Sequence, residues 1–126
     1  MPISNDLANK LANATVRNVS YTGPATVYVA LYSVAPTAAT SGTELSGSGY
    51  TRETVTFSAP TAGVVTSNVA VSFGAATADW LPAVAMATVD ASTAGNIMWF
   101  KTIATQLVKN GDTLDLDSGA ITITIS

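Results

Sequence analysis

Apolar positions along the chain change their period once, near residue 18. Before it, Leu7, Ala8, Leu11, Ala12 and Thr15 recur at i, i+3/i+4 spacing, which predicts a helix over Asn5 to about Asn18. Ser4 or Asn5 is placed to cap it, and Asp6 suits the positive end of the helix dipole. The apolar stripe is narrow, and helices shorter than ~12–15 residues are marginal in isolation. This segment must therefore lie against a sheet or a neighbouring subunit. Past the Gly23-Pro24 turn signal the period falls to two. Ala25 to Ser33 sets Val27, Val29 and Leu31 on one face and Tyr28, Ala30 and Tyr32 on the other, a central strand covered on both sides.

Val34 to Tyr50 has no period and is long for an ordinary connection, so it reads as a functional loop or an arm. Thr51 to Ala59 alternates again, with Val55 and Phe57 inward. After the turn at Pro60 to Gly63, Val64 to Phe73 supplies one bent strand or two short ones divided at Ser67-Asn68. Pro82 bars a central ladder position in the connection that contains Trp80. Ala83 to Val89 and Asn96 to Ala104 are the next strands, and Asn110-Gly111 is a hairpin dipeptide leading into Thr113 to Asp117. The last strand carries Ile121, Ile123 and Ile125 on one face. Roughly seven or eight short strands at this spacing predict an all-β fold, an antiparallel β-sandwich or jelly-roll-like barrel. It forms one domain over residues 1–126, with an N-terminal helix or arm over 1–20 and a long loop over 34–50.

Composition narrows the function. The 126 residues are expected to expose about 6,300 Å² when folded and to bury about two-thirds of the unfolded surface, enough for a core without staples. Charged residues are only 10% of the chain, so Thr, Ser and Ala must clothe the outside. Such a surface packs against other subunits without desolvating many ions. With no Cys and no His, thiol nucleophiles, disulfides, Cys/His zinc sites and imidazole bases are all excluded. The net charge of -3 and five scattered basic residues (Lys10, Arg17, Arg52, Lys101 and Lys109) argue against a nucleic-acid partner. No uncharged run is unbroken enough to span a membrane. The start of the chain lacks a basic segment followed by an apolar one, so synthesis and retention in a cytosol are expected.

Candidate chemistry is thin. Asp112, Asp115 and Asp117 offer oxygens for calcium, but Leu114 and Leu116 alternate with them, as in a strand with a polar outer face. Glu44, Glu53, Asp79 and Asp90 contain no pair singled out for glycoside hydrolysis. Trp99, inside Ile-Met-Trp-Phe, reads as core, whereas Trp80 reads equally as a core plug or a subunit contact. No catalytic, cofactor or metal residue is assigned, and the pattern favours an assembly component over an enzyme.

An ordered set of segments runs along nearly the whole chain. They are Asn5-Asp-Leu-Ala-Asn-Lys-Leu, Pro24-Ala-Thr-Val-Tyr-Val-Ala-Leu-Tyr with Ala35-Pro-Thr, and Gly42-Thr-Glu-Leu-Ser-Gly-Ser-Gly-Tyr-Thr-Arg with Val55-Thr-Phe. Ala76-Thr-Ala-Asp-Trp, Asp90-Ala-Ser-Thr-Ala-Gly-Asn and Lys109-Asn-Gly-Asp-Thr-Leu follow. In these the chain resembles small tailed-bacteriophage virion structural proteins of the tail-fibre-like or capsid decoration kind. It departs from them after Trp80, where Leu81-Pro-Ala-Val-Ala-Met replaces an aromatic or Gly-rich stretch.

The resemblance implies a non-enzymatic virion component, on the capsid surface or tail, made in the host cytoplasm and needing no cofactor. A homotrimeric capsid decoration or cement protein, stabilising the shell by binding the major capsid protein, is the first expectation. The alternative is a tail or tail-fibre protein, with receptor or glycan binding as a further role. Expected partners are copies of itself and the major capsid protein or other virion proteins, with no nucleic acid and no membrane. The expected assembly contacts are Ile3, Leu7 and Leu11 in the N-terminal segment, Leu45 and Tyr50 in the loop, and Trp80.

Overall fold

A buried stripe through the middle of the chain organises the rest. Val29, Ala30, Leu31 and Tyr32 are all buried, so β1 (Val27–Val34) is covered on both faces, as its alternation predicts. The computed structural model describes residues 1–125 and exposes 6832 Å², close to the area expected for a folded chain of this length. Beyond β1 the elements are α1 (Asn5–Val16), β2 (Thr43–Glu44), β3 (Glu53–Val55), β4 (Val64–Thr66) and β5 (Val71–Ala75). Then come β6 (Ala83–Val89), β7 (Ile97–Gln106), β8 (Thr113–Leu116) and β9 (Thr122–Thr124). All pairings are antiparallel and the sheets do not close into a barrel.

The first layer has the order β2-β1-β6-β7, with β3 on the other half of the β1 edge. Its register sets Leu31 opposite Met86 and Ala30 opposite Ala87. Opposed residues share a face, so Leu31 and Met86 enter the main core. Ala30, Ala85, Ala87 and Val89 form a smaller cluster behind it with Tyr32. The second layer is a ribbon in which β4 pairs β9 and β5 pairs β8. It is split at buried Ser67, whose N–H donates to the Ile121 carbonyl (2.8 Å) and whose hydroxyl accepts from the Ile121 N–H (3.2 Å). The segment Thr56 to Ser58 leaves the first layer and bonds to β4, through Ser58 N–H to Thr66 (2.9 Å) and Asn68 N–H to Thr56 (3.1 Å). The layers are thus joined along that side. Phe73, Val71 and Ile121 of the second layer meet Val29, Leu31 and Met86 of the first in the main core.

The helix ends two residues before its predicted limit. Arg17 N–H bonds back to Asn13 (3.1 Å), and Asn18 takes a left-handed backbone (φ 55) that stops further turns. Its start is capped by Ser4, whose hydroxyl accepts from the Leu7 N–H at 3.2 Å. Ser4→Ala should therefore cost about 1 kcal/mol. A urea midpoint identical to that of the parent protein would contradict the cap.

The two segments read as arms are bonded to their own body. Ser4 N–H donates to Met98 (2.9 Å) and Phe100 N–H to Pro2 (3.0 Å), so Pro2 to Ser4 forms a short strand on the free edge of β7. The 34–50 segment contains β2, which pairs with β1, and Asn5 N–H bonds to Ala38 (2.8 Å). Gly42 sustains the turn before β2 (φ 60), where any side chain would meet the Val34 carbonyl.

Candidate functional site

A polar latch holds the long loop against the sheet. Arg52, just before β3, makes a two-pronged ion pair with Glu44 of β2, Nε to Oε2 at 2.9 Å and Nη2 to Oε1 at 2.8 Å. Its remaining donor, Nη1, reaches the Ala91 and Ala94 carbonyls, both at 2.8 Å. One guanidinium thus joins the loop, β3 and the hairpin between β6 and β7. That hairpin is set by Asp90, whose Oδ1 accepts from Asn96 N–H at 2.7 Å.

Tyr50 completes the latch from inside. Its hydroxyl donates to Glu44 (2.7 Å) and accepts from the Leu31 N–H (3.0 Å), a donor that β1 leaves free between β2 and β3. Its ring stacks on Phe73 at 6.2 Å and meets Trp80 edge-on at 5.6 Å. Trp80 in turn donates its indole N–H to Ser48 (2.8 Å), pinning the Gly-rich part of the loop.

Burial pushes the Glu44 carboxyl up, yet the hydrogen bonds from Arg52 and Tyr50 outweigh it and hold the group below its ordinary value of 4.5. Burial raises the Tyr50 phenol strongly; the Leu31 N–H opposes this and the Glu44 carboxylate adds to it. Tyr32, beside the latch, is pushed up to about 12, chiefly by burial. A lowered carboxyl value means that the latch stabilises the fold fully above Glu44's unfolded value and loses that contribution as pH falls through the folded one. Glu44→Gln should flatten this acid-side loss. Denaturation midpoints with the same pH slope below pH ~5 in both proteins would contradict the assignment.

Beside the latch lies a cleft of about 200 Å³, lined by Tyr32, Gly42, Glu44, Arg52, Ala94 and Asn96 among others. Its charged groups neutralise each other. Three further carboxylates are also engaged: Asp79 accepts from Asn110 N–H (2.8 Å), Asp112 from Lys109 N–H (3.3 Å) and Glu53 from the Thr51 hydroxyl (3.1 Å). Asp115 and Asp117 point outward from β8 and its turn, and no set of three or more acidic side chains that could hold a metal occurs among the described residues. The two Trp, four Tyr and three Phe are all buried or half-buried, so no fully exposed ring is offered to a sugar.

The expected contact residues fall into two places. Leu45, Tyr50 and Trp80 come together in the main core, Leu45 and Trp80 buried and Tyr50 half-buried. Ile3, Leu7 and Leu11 lie apart from them: Ile3 bridges Trp99 on β7, Leu7 is buried and Leu11 is half-buried on α1. Leu7, Leu45 and Trp80 are thus buried within this chain. The exposed apolar side chains are others, chiefly Val16, Val34, Leu81, Leu107 and Ile125. From the sequence, Glu44 stands only among four carboxylates with no singled-out pair, and Arg52 only among five scattered basic residues. The missed signal was that Glu44 and Arg52 bracket the one Tyr of the Gly-rich stretch.

Comparison with known families gives a match over residues 2–124, to the family described as Podophage GP4 fiber I protein gp80. No curated protein matches the sequence.

Proposed function

Since the chain belongs to the Podophage GP4 fiber I protein gp80 family across nearly its whole length, we propose that it is a subunit of a bacteriophage tail fibre. It is a bacteriophage structural protein of a fibre family, and on that ground associated with the virion. The family match is the observation that carries the reading, and it favours the tail-fibre alternative over the capsid cement expected first. The fold is compatible: a small latched body in which each acidic side chain of the cleft region is spent on structure supports a scaffolding role better than a reaction. The partners in this reading are other tail proteins and further copies of the chain. Only 10% of its residues are charged, which lowers the desolvation cost of such contacts. Among the described residues no helix is long and apolar enough to cross a membrane.

Immunogold labelling of intact virions with antibody to this chain tests the reading. Gold at the tail is the expected result. Gold spread over the head shell would overturn it in favour of capsid decoration.

A further inference from the structure

Asn110 and Gly111 stand between β7 and β8, strands of different layers, so the pair that promises a hairpin makes a crossing turn instead. The Asp112 N–H donates to the Lys109 carbonyl (2.9 Å), and Gly111 has a positive φ (87) where Asn110 does not. This is a type II turn, not the type I′ turn of a two-residue hairpin. Lys109, Asn110, Gly111 and Asp112 are all exposed.

The turn is fastened to the connection between β5 and β6. Gly111 N–H donates to the Ala76 carbonyl (2.8 Å), Ala76 N–H to the Asp112 carbonyl (2.9 Å) and Trp80 N–H to the Val108 carbonyl (2.9 Å). Asp79 adds a side-chain pin. Its Oδ1 accepts from the Asn110 N–H (2.8 Å), and Lys109 Nζ stands 3.9 Å from its Oδ2.

An asparagine followed by glycine carries its own reactant, because no side chain crowds the next main-chain nitrogen. Asn110 alone among the asparagines of this chain precedes a glycine. The Gly111 nitrogen gives its proton to water and bonds to the side-chain carbonyl carbon of Asn110. The bond from that carbon to Nδ2 breaks, and ammonia leaves with a proton from water. Water then opens the cyclic imide at one of its carbonyls, leaving aspartate or isoaspartate. The fold opposes the first step twice. The Gly111 N–H is bound to Ala76, and a type II turn holds that nitrogen away from the Asn110 β-carbon, beside which it must swing for the ring to close.

We propose that Asn110 is a self-deamidation site that the fold holds shut, with the Asp79 carboxylate as its pin. Reaction requires residues 109–112 to detach from Ala76 and Asp79, so its rate follows local opening of this turn. The product prevents the turn from closing as before. It sets a further carboxylate beside Asp79 and Asp112, and isoaspartate reroutes the main chain through a side-chain carbon, displacing the Gly111 and Asp112 groups that Ala76 binds.

The test incubates the full chain at neutral pH, folded and in urea, and follows aspartate and isoaspartate at position 110 by peptide mass spectrometry. In urea Asn110 should convert ahead of every other asparagine. In the folded protein its conversion should be slower by about tenfold or more, since a hydrogen bond to a charged group must open first. Asp79→Ala should speed the folded reaction by about threefold to tenfold, the exposure of Asp79 reducing the effect, and leave the rate in urea unchanged. Asp79→Asn keeps an acceptor oxygen and should return the rate towards that of the parent. Equal rates in folded and unfolded protein would overturn the proposal, as would earlier conversion of another asparagine in urea. So would an unchanged or slower reaction in Asp79→Ala, the slower one meaning that Asp79 assists proton transfer, or equal rates in the two Asp79 variants.

Discussion

Tyr50→Ala is expected to lower the unfolding free energy by about 3–5 kcal/mol, the usual cost of deleting an aromatic side chain from a core. The ring sits between Phe73 and Trp80, so its loss opens a cavity on both sides. It also removes the acceptor for the Leu31 N–H and a donor to Glu44. Tyr50→Phe separates these effects. It keeps the ring and removes only the hydroxyl, and should cost about 1–2 kcal/mol, the range for an orphaned buried donor. Urea denaturation followed by tryptophan fluorescence reads both. Equal losses for the two variants would show that the ring contributes nothing beyond its hydroxyl, contrary to its place in the core.

Arg52→Ala is expected to cost about 2–3 kcal/mol. Breaking a buried pair by removing one partner costs about 3–5 kcal/mol, and partial exposure of Glu44 reduces this through solvent screening. The Arg52 and Glu44 side chains are 10% and 26% exposed, so the pair lies nearer the buried limit. The more specific consequence is that two loops far apart in sequence loosen together. Arg52 holds Glu44 of the long loop with one edge and the Ala91 and Ala94 carbonyls with Nη1. Hydrogen exchange should therefore accelerate in both residues 35–50 and residues 90–96. Faster exchange in only one of them would contradict the latch. Combined with Glu44→Gln, the loss should fall short of the sum, because both substitutions remove one interaction.

Most of the sheet was legible from alternation. β6 matches its expected span, and β1 and β7 run one and two residues past the ends of theirs, because buried strands with regular pleats write their faces directly into the sequence. The division of Val64 to Phe73 at Ser67 was legible too, since a polar residue at an inward position needs partners, and Ile121 supplies them. The role of 34–50 was not legible. Its order comes from Tyr50, Arg52 and Trp80, whose partners Leu31, Ala91 and Ser48 lie far off in sequence, and no local period encodes such pairs. The same holds for Leu45 and Trp80. Leu45 reads as a contact to another chain and Trp80 equally as a core plug or a subunit contact, and both pack in the main core of this chain. The short strand Pro2 to Ser4 was hidden because Pro2 lacks an N–H and three residues are too few to show alternation.

The fibre assignment is tested most directly by the copy number of this protein in purified virions, measured by quantitative mass spectrometry against the major capsid protein. The account predicts a small number of copies, fixed by the symmetry of the tail. A stoichiometry that tracks the major capsid protein would contradict it and return the chain to the shell.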